Sequence, residues 1–360
     1  SAAGGRWRQL LSAGASRHAR TSRDDPDAAR PADRSRGRFE GATWTLEWLH
    51  LLDLGAERHL TIGLDGERVS AASAFASDGP FGPFASAFPD AVARTGAVFT
   101  EARAGVGARL TLSAAARLDA HSRFGRAGTH RLGAVAQPWT GARVHATLGT
   151  GFTAPTLFQL FDPQFGDPAL EPERSRGWDG GIEQDLAGGR LRIGVTVFRT
   201  RFEGLIGFAF PDGYANIRAA RTRGVEATLS AVASRRWRVT AAHTALRTRD
   251  ETAGPDQGAP LLRRPRQQAA LDIVYSAAPL TVAAGARWVG PRDDLDFTAF
   301  PALRVTLEPY AVVRFAAGYN LTPHVQLHAR LENALDTGYA EVLHFNAPGR
   351  AAYGGVSVAF

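Results

Sequence analysis

No cysteine occurs among the 360 residues, which excludes disulfide scaffolds, thiolate metal sites and cysteine nucleophiles. Methionine is absent too, even as an initiator, and no lysine occurs, so all 42 basic residues are arginine. Also missing is any run of the roughly 20 apolar residues that a membrane-spanning helix requires. That absence leaves a membrane-spanning β-barrel open, because alternating apolar and polar residues average to the hydropathy of a soluble protein. The N-terminus, Ser1 to Gly5 followed by Arg6, Trp7 and Arg8, has no apolar core of signal-peptide length. With 44% hydrophobic and 21% charged residues, the chain is too apolar to be intrinsically disordered. Its length fits two average domains or one large all-β architecture.

The formal charge of +7 suggests a nucleic-acid partner until the charge is located. Residues 1–38 hold nine arginines against Asp24, Asp25, Asp27 and Asp33, a local excess of five, and the remainder is nearly neutral. Beyond Trp7 no stacking aromatics interleave with that stretch, and no nucleic-acid fold pattern follows it. It reads as a solvated Arg/Asp/Pro/Ser loop, and no nucleic-acid partner is expected.

From about residue 90 the dominant period is two. In Arg190 to Thr200, Leu191, Ile193, Val195 and Val197 share one face, while Arg190, Arg192, Gly194 and Thr196 share the other. Val225, Ala227 and Leu229 alternate with Glu226, Thr228 and Ser230, and Val325, Leu327, Ala329 and Leu331 with Gln326, His328, Arg330 and Glu332. The spacing predicts strands over 190–200, 224–231 and 324–332, with Leu191, Ile193, Val195, Val225, Leu229, Leu327 and Leu331 facing lipid and Arg192 and Arg330 facing away. Strands of about 9–13 residues exceed the usual 5–6 and match a tilted membrane crossing. Aromatics near strand ends (Trp178, Trp237, Trp288, Tyr310, Tyr353 and Phe360) fit interfacial girdles. Short turns at 187–189, 233–235 and 277–279 alternate with long polar connections at 151–177, 248–264, 291–303 and 336–349. That asymmetry separates periplasmic from extracellular sides in outer-membrane barrels, and roughly 16 strands are expected.

The segment Gly151-Phe152-Thr153-Ala154-Pro155-Thr156-Leu157, continued by Gly166-Asp167-Pro168-Ala169-Leu170-Glu171-Pro172-Glu173-Arg174-Ser175, resembles the TonB-dependent outer-membrane receptor family. Further matches follow in the family's order. They are Asp179-Gly180-Gly181-Ile182-Glu183; Asn216 to Gly224-Val225-Glu226; Arg263-Arg264-Pro265-Arg266-Gln267; and Glu332-Asn333-Ala334-Leu335-Asp336, Tyr339 and Pro348-Gly349-Arg350 through Phe360. The wording is similar to cobalamin-receptor-like members. The resemblance implies an all-β fold: a transmembrane antiparallel barrel in the cell outer membrane, with the terminal Phe360 serving barrel assembly. Asn216 and Glu226 are expected to supply polarity and hydrogen bonding inside the barrel rather than catalysis.

The family's barrel has 22 strands around a plug. Here about six strands and the plug are unaccounted for, so the sequence is expected to be a C-terminal portion of such a barrel. Residues 1–40 are then an Arg-rich strand and loop region, and residues 41–360 the truncated barrel. The implied partners are TonB, acting through a missing N-terminal segment, outer-membrane lipid and lipopolysaccharide, the barrel assembly machinery and a metal-chelate ligand.

No catalytic constellation emerges, so no enzyme activity, cofactor or metal site is expected. His324 and His328 lack a completing carboxylate. Asp24, Asp25 and Asp27 lack EF-hand spacing, and nucleophile-elbow and phosphate-loop patterns are absent. Two functions remain. One is energy-coupled import of a large scarce ligand such as an iron-siderophore or cobalamin, captured by loops 151–177, 248–264 and 291–303. The other is a passive porin-like or structural barrel.

Overall fold

Residues that alternate apolar and polar need a backbone that sends neighbours to opposite sides, and the computed structural model of the chain supplies one. It describes residues 6–28, 31–79, 82–209, 212–254, 256–299 and 301–360. The strands are β1 (Trp7–Asp24), β2 (Arg34–Gly55), β3 (Arg58–Asp78), β4 (Phe84–Val106), β5 (Leu110–His121), β6 (Gly125–Ala136) and β7 (Ala142–Thr153). A short helix, α1 (Leu157–Phe161), precedes β8 (Glu173–Leu186), β9 (Leu191–Ala209), β10 (Gly213–Val232), β11 (Trp237–Asp250), β12 (Gln267–Ala277) and β13 (Leu280–Val289). Last come β14 (Arg292–Asp296), β15 (Leu303–Leu307), β16 (Tyr310–Thr322), β17 (Val325–Glu332) and β18 (Ala351–Val358). Sixteen strands hydrogen-bond in chain order in one sheet, and β14 and β15 pair apart from it.

The chain divides into two compact units. The first holds Ser1–Ala134, Thr147–Gly177 and Phe202–Ala219; the second holds Val135–Ala146, Trp178–Arg201 and Ala220–Phe360. In the first, β1 to β5 form antiparallel ladders whose register sorts the side chains. Trp44, Leu46, Trp48, Ile62, Leu64, Val98 and Leu118 line one face, and Glu47, Asp65, Glu67, Glu101, Arg117 and Asp119 the other. In the second, Trp237, Tyr275, Leu271, Trp288, Phe315, Leu327 and Val356 share one face across five ladders. Thr240, Asp272, Arg314, Arg330 and Gln326 lie on the other.

The strands expected over 190–200, 224–231 and 324–332 lie within β9, β10 and β17. Ile193, Val195, Val225 and Leu327 are all about two-fifths exposed on the apolar face, where water would penalise them and hydrocarbon would not.

Several expectations are corrected. Residues 7–24 form β1 rather than a solvated loop; the first five residues, Ala29 and Arg30 lie outside the described residues. The expected 9–13 residues hold for β5, β6, β7, β12, β13 and β16, but other strands run longer: β2 has 22, β3 21, β4 23 and β10 20. Because about 9–11 tilted residues cross a bilayer, these strands continue well past one boundary. The connection at 291–303 contains β14 and the start of β15, and 151–177 contains α1; Pro255 and Phe300 in the long connections lie outside the described residues. Tyr310 and Tyr353 are not girdle residues. Tyr310 pairs with Val289, in phase with the Gly285–Arg314 pair, and Tyr353 pairs with Arg330, so both stand on the polar face.

Candidate functional site

The long connections gather side chains at one end of the strands, and each unit builds its own arrangement there. In the first unit the connection after β7 folds back as α1. Thr156 caps this helix: its Oγ1 accepts from the Gln159 amide at 3.2 Å, and Gln159 Oε1 accepts from the Thr156 amide at 2.8 Å. That reciprocal pair satisfies donors a single turn would leave orphaned. Leu157 and Leu160 are buried beneath it, and Leu157 packs with Phe88 and Ala71, flanked by Phe39 and Val69. The polar face therefore turns apolar where α1 lies on it.

Aromatic rings extend from this patch. Phe158 meets Phe39, Phe88 and Tyr214 edge-on at centroid separations of 6.3, 6.2 and 6.3 Å. Phe208 stands edge-to-face against Tyr214 at 5.2 Å and Phe165 at 5.3 Å. The Arg123 guanidinium lies 5.3 Å from the Phe161 centroid and donates to the Pro168 carbonyl. Offset rings with an arginine at their rim suit flat, aromatic or anionic ligand groups.

The residues of the sequence motifs fasten the roots of this connection. Asn216 Oδ1 accepts from the Glu171 amide at 2.7 Å, while Nδ2 donates to the carbonyls of Glu171 at 2.9 Å and Gly204 at 2.6 Å. Glu173 Oε1 accepts from the Ile206 amide at 2.6 Å. Gly204 has φ +67, a conformation side chains disfavour, with the Pro172 carbonyl against it. Asn216 therefore acts on backbone groups at the loop root, a more specific role than general polarity inside a barrel.

In the second unit three segments meet: the connection after β11, the β14–β15 hairpin and residues 336–350. The Asp294 side chain is fully buried and accepts from Arg263 Nε at 2.8 Å and from the amides of Leu295 at 2.8 Å and Leu343 at 2.9 Å. Burial pushes its pKa up, but those donors outweigh it and hold the carboxyl below its ordinary value. Arg292, also buried, donates to the Ala340 carbonyl and lies 5.2 Å from the Tyr310 ring centroid, which stacks on Tyr339 at 4.4 Å. Arg304 donates to Asp293 at 2.9 Å, to Asp256 at 3.3 Å and to the Pro260 carbonyl. Asp296 accepts from the Thr298 side chain and amide and contacts His344 at 3.1 Å, which bring its pKa down to about 2. The closing motif is again a fastener: Asn333 bonds both backbone groups of Thr337 and the Pro348 carbonyl, and Asp336 accepts from the Arg350 amide.

Lower on the polar faces, charges pair within each unit. Arg117 bridges Asp65 and Asp119 at 2.8 and 2.9 Å, Arg143 meets Glu183 at 3.2 Å, and Arg314 meets Asp272 at 2.8 Å. Gly181 in the Asp-Gly-Gly-Ile-Glu segment lies against the His145 ring and the Val195 carbonyl, where a Cβ would collide. Among the described residues no three His, Asp or Glu side chains converge as a metal-holding group. These arrangements can bind and position.

Comparison with known proteins places the architecture. The family description "TonB dependent receptor-like, beta-barrel" matches residues 2–334. Among solved structures, the copper transporter OprC is similar with a TM-score of 0.80 at 16% identity, over 98% of this chain and 63% of that one. The ferric yersiniabactin uptake receptor FyuA of Yersinia pestis is similar with a TM-score of 0.74 at 15% identity, over 99% of this chain and 60% of that one. The siderophore receptor PiuA of Acinetobacter baumannii gives 0.74 at 16% identity, over 98% of this chain and 62% of that one. The chain thus spans about three-fifths of the length of these structures.

Proposed function

Because the chain belongs to the TonB-dependent receptor β-barrel family of the outer membrane, we propose that it supplies most of the barrel of an energy-coupled importer. Its cargo is a large, scarce metal chelate such as a ferric siderophore, a corrinoid or a similar complex. Residues 1–40 form an Arg-rich strand and loop region of this barrel, and residues 41–360 the rest of the strands. The outward apolar face solvates in lipid, the paired charges of the inner face line a polar conduit, and TonB draws on the inner-membrane proton gradient to open it.

The carrying observation is the pairing of fastened roots with presented rings: Asn216 and Glu173 pin the connection that holds Phe158, Phe161 and Phe165 at the strand ends, beside Arg123 of the β5–β6 turn. That geometry suits capture of a flat or anionic chelate before passage. A passive pore would need no such fixed rings.

The test is uptake. In cells where this protein is the sole candidate receptor, import of a labelled ferric siderophore or of cobalamin should stop when the proton gradient collapses or TonB is deleted. Import that persists under both conditions would replace this reading with the passive barrel.

A further inference from the structure

In the second unit two connections are joined through a single side chain. Among the described residues, no hydrogen bond or ion pair runs directly between the connection after β11 and the strap of residues 336–350. Both reach the β14–β15 hairpin instead, and both end on Asp294. Its Oδ1 accepts from Arg263 Nε at 2.8 Å, and its Oδ2 accepts from the Leu343 amide at 2.9 Å. Oδ1 also accepts from the Leu295 amide at 2.8 Å, within the hairpin itself. The carboxylate is fully buried, so its two oxygens tie three segments at a point shielded from water.

Burial makes the tie cooperative. Lifting the strap alone would take away the Leu343 amide and leave a buried charge short of a donor. Withdrawing Arg263 alone would leave that charge without its counterion, which is costlier still. Each segment therefore penalises the departure of the other. Neighbouring contacts act in the same sense. Arg263 donates its amide to the Asp293 carbonyl at 2.7 Å, and Arg304 spans Asp293 and Asp256. On the other side Arg292 donates to the Ala340 carbonyl and Tyr339 stacks on Tyr310.

The closed arrangement also carries a built-in penalty. Arg292 is only 5% exposed, and its Nη1 meets no acceptor among the described residues; Thr252 Oγ1, in the connection after β11, is likewise buried without a partner. His344 contacts Asp296 from a left-handed backbone, φ +64, which side chains disfavour. Opening relieves all three, because an unpaired buried donor is expensive only while it is buried. Segments that hold one another, under a penalty that opening removes, make a two-state element.

We propose that the connection after β11, the β14–β15 hairpin and residues 336–350 form one cap that opens and closes as a unit, with Asp294 as the positioning residue that couples its parts. Opening releases Arg263 and Arg292 from their acceptors together and uncovers Tyr310 at the start of β16. Access to that strand end then changes in one step rather than loop by loop, whatever the cargo.

The experiment is hydrogen exchange read by peptide mass spectrometry on the full chain in micelles. Tyr339→Ala removes a ring contact made by the strap. It should speed exchange in residues 339–347 about tenfold, and in 292–307 and 258–264 by the same factor. Asp294→Ala should abolish the spread: added to that background, Tyr339→Ala should speed 339–347 further and leave 258–264 as it was. Asp294→Asn, which keeps one acceptor oxygen and loses the charge, should allow a partial spread. Acceleration confined to 339–347 in the Tyr339→Ala protein overturns the proposal, and this arm stands even where Asp294→Ala fails to fold. Undiminished spread in the Asp294→Ala background overturns it too, since other contacts would then carry the coupling. Equal acceleration within β12 and β13 does the same, because the opening unit would be the sheet and not the cap.

Discussion

At the scale of single residues, two asparagines do more than their size suggests. Asn216 and Asn333 each use both ends of the amide on backbone groups of a neighbouring segment. Replacing either with Ala leaves backbone donors and acceptors unpaired, which costs about 1–3 kcal/mol per site. Asn216→Ala should therefore lower the urea midpoint and expose residues 162–170 to protease while leaving the strand signal in circular dichroism intact. Asn216→Asp keeps the acceptor toward Glu171 and loses both donated bonds, so it should fall between. Asp296 makes a prediction in pH. Its folded pKa of about 2 lies below the ordinary 3.8, so the fold favours the carboxylate. Its contribution is complete above about pH 4 and is lost as the pH falls through about 2. Amide exchange at Thr298 should stay slow at pH 4 and accelerate as pH 2 is approached, and Asp296→Asn should remove that dependence.

At the scale of elements, β9 offers a depth test. Val197 on its apolar face lies about 14 Å above the start of the strand, near the midplane, where an arginine costs about 2–4 kcal/mol. Val197→Arg should impair assembly, Ile193→Arg near the boundary should impair it less, and Thr196→Arg on the polar face should be tolerated; folded fraction on unheated gels reads all three. Strands such as β9, β10 and β17 were legible because one face meets lipid and the other water, which writes a period of two into the sequence. β1 was not, because Arg17, Ser16, His18 and Arg20 occupy both faces of a strand that is exposed throughout. The β14–β15 hairpin escaped for a related reason: Arg-Asp-Asp-Leu-Asp has no apolar face, and what it buries is polar, Arg292 and Asp294 held by ion pairs and hydrogen bonds. At five residues, α1 is shorter than any window in which helical period can be detected. The aromatic cluster was invisible because Phe39, Phe88, Phe158 and Tyr214 come from four distant segments. Tyr310 and Tyr353 looked like girdle residues until the register placed them on the polar face. The motif positions Glu173, Asn216, Asn333 and Asp336, by contrast, were visible in the sequence, although their role as fasteners of backbone groups was not.

At the scale of the whole molecule, the surface is the distinguishing quantity. The chain exposes 23263 Å², against about 14,000 Å² for a folded soluble monomer of this mass. Its exposed residues include Trp44, Leu46, Leu64, Val98, Trp237 and Val356 on the apolar faces, which water penalises. The protein should accordingly precipitate when detergent is removed and stay dispersed in micelles, a difference visible by light scattering. With no thiol in the sequence, that behaviour should be identical with and without reductant. The fasteners have a consequence of another kind. Asn216, Glu173, Asn333 and Asp336 hold loop roots through backbone groups, and backbone groups are the same whatever side chains the loop tips carry. Tips between such roots are interchangeable parts. A lineage can rewrite residues 162–170 without renegotiating how the strands beneath them pair, and an engineer can graft a foreign tip between the same roots.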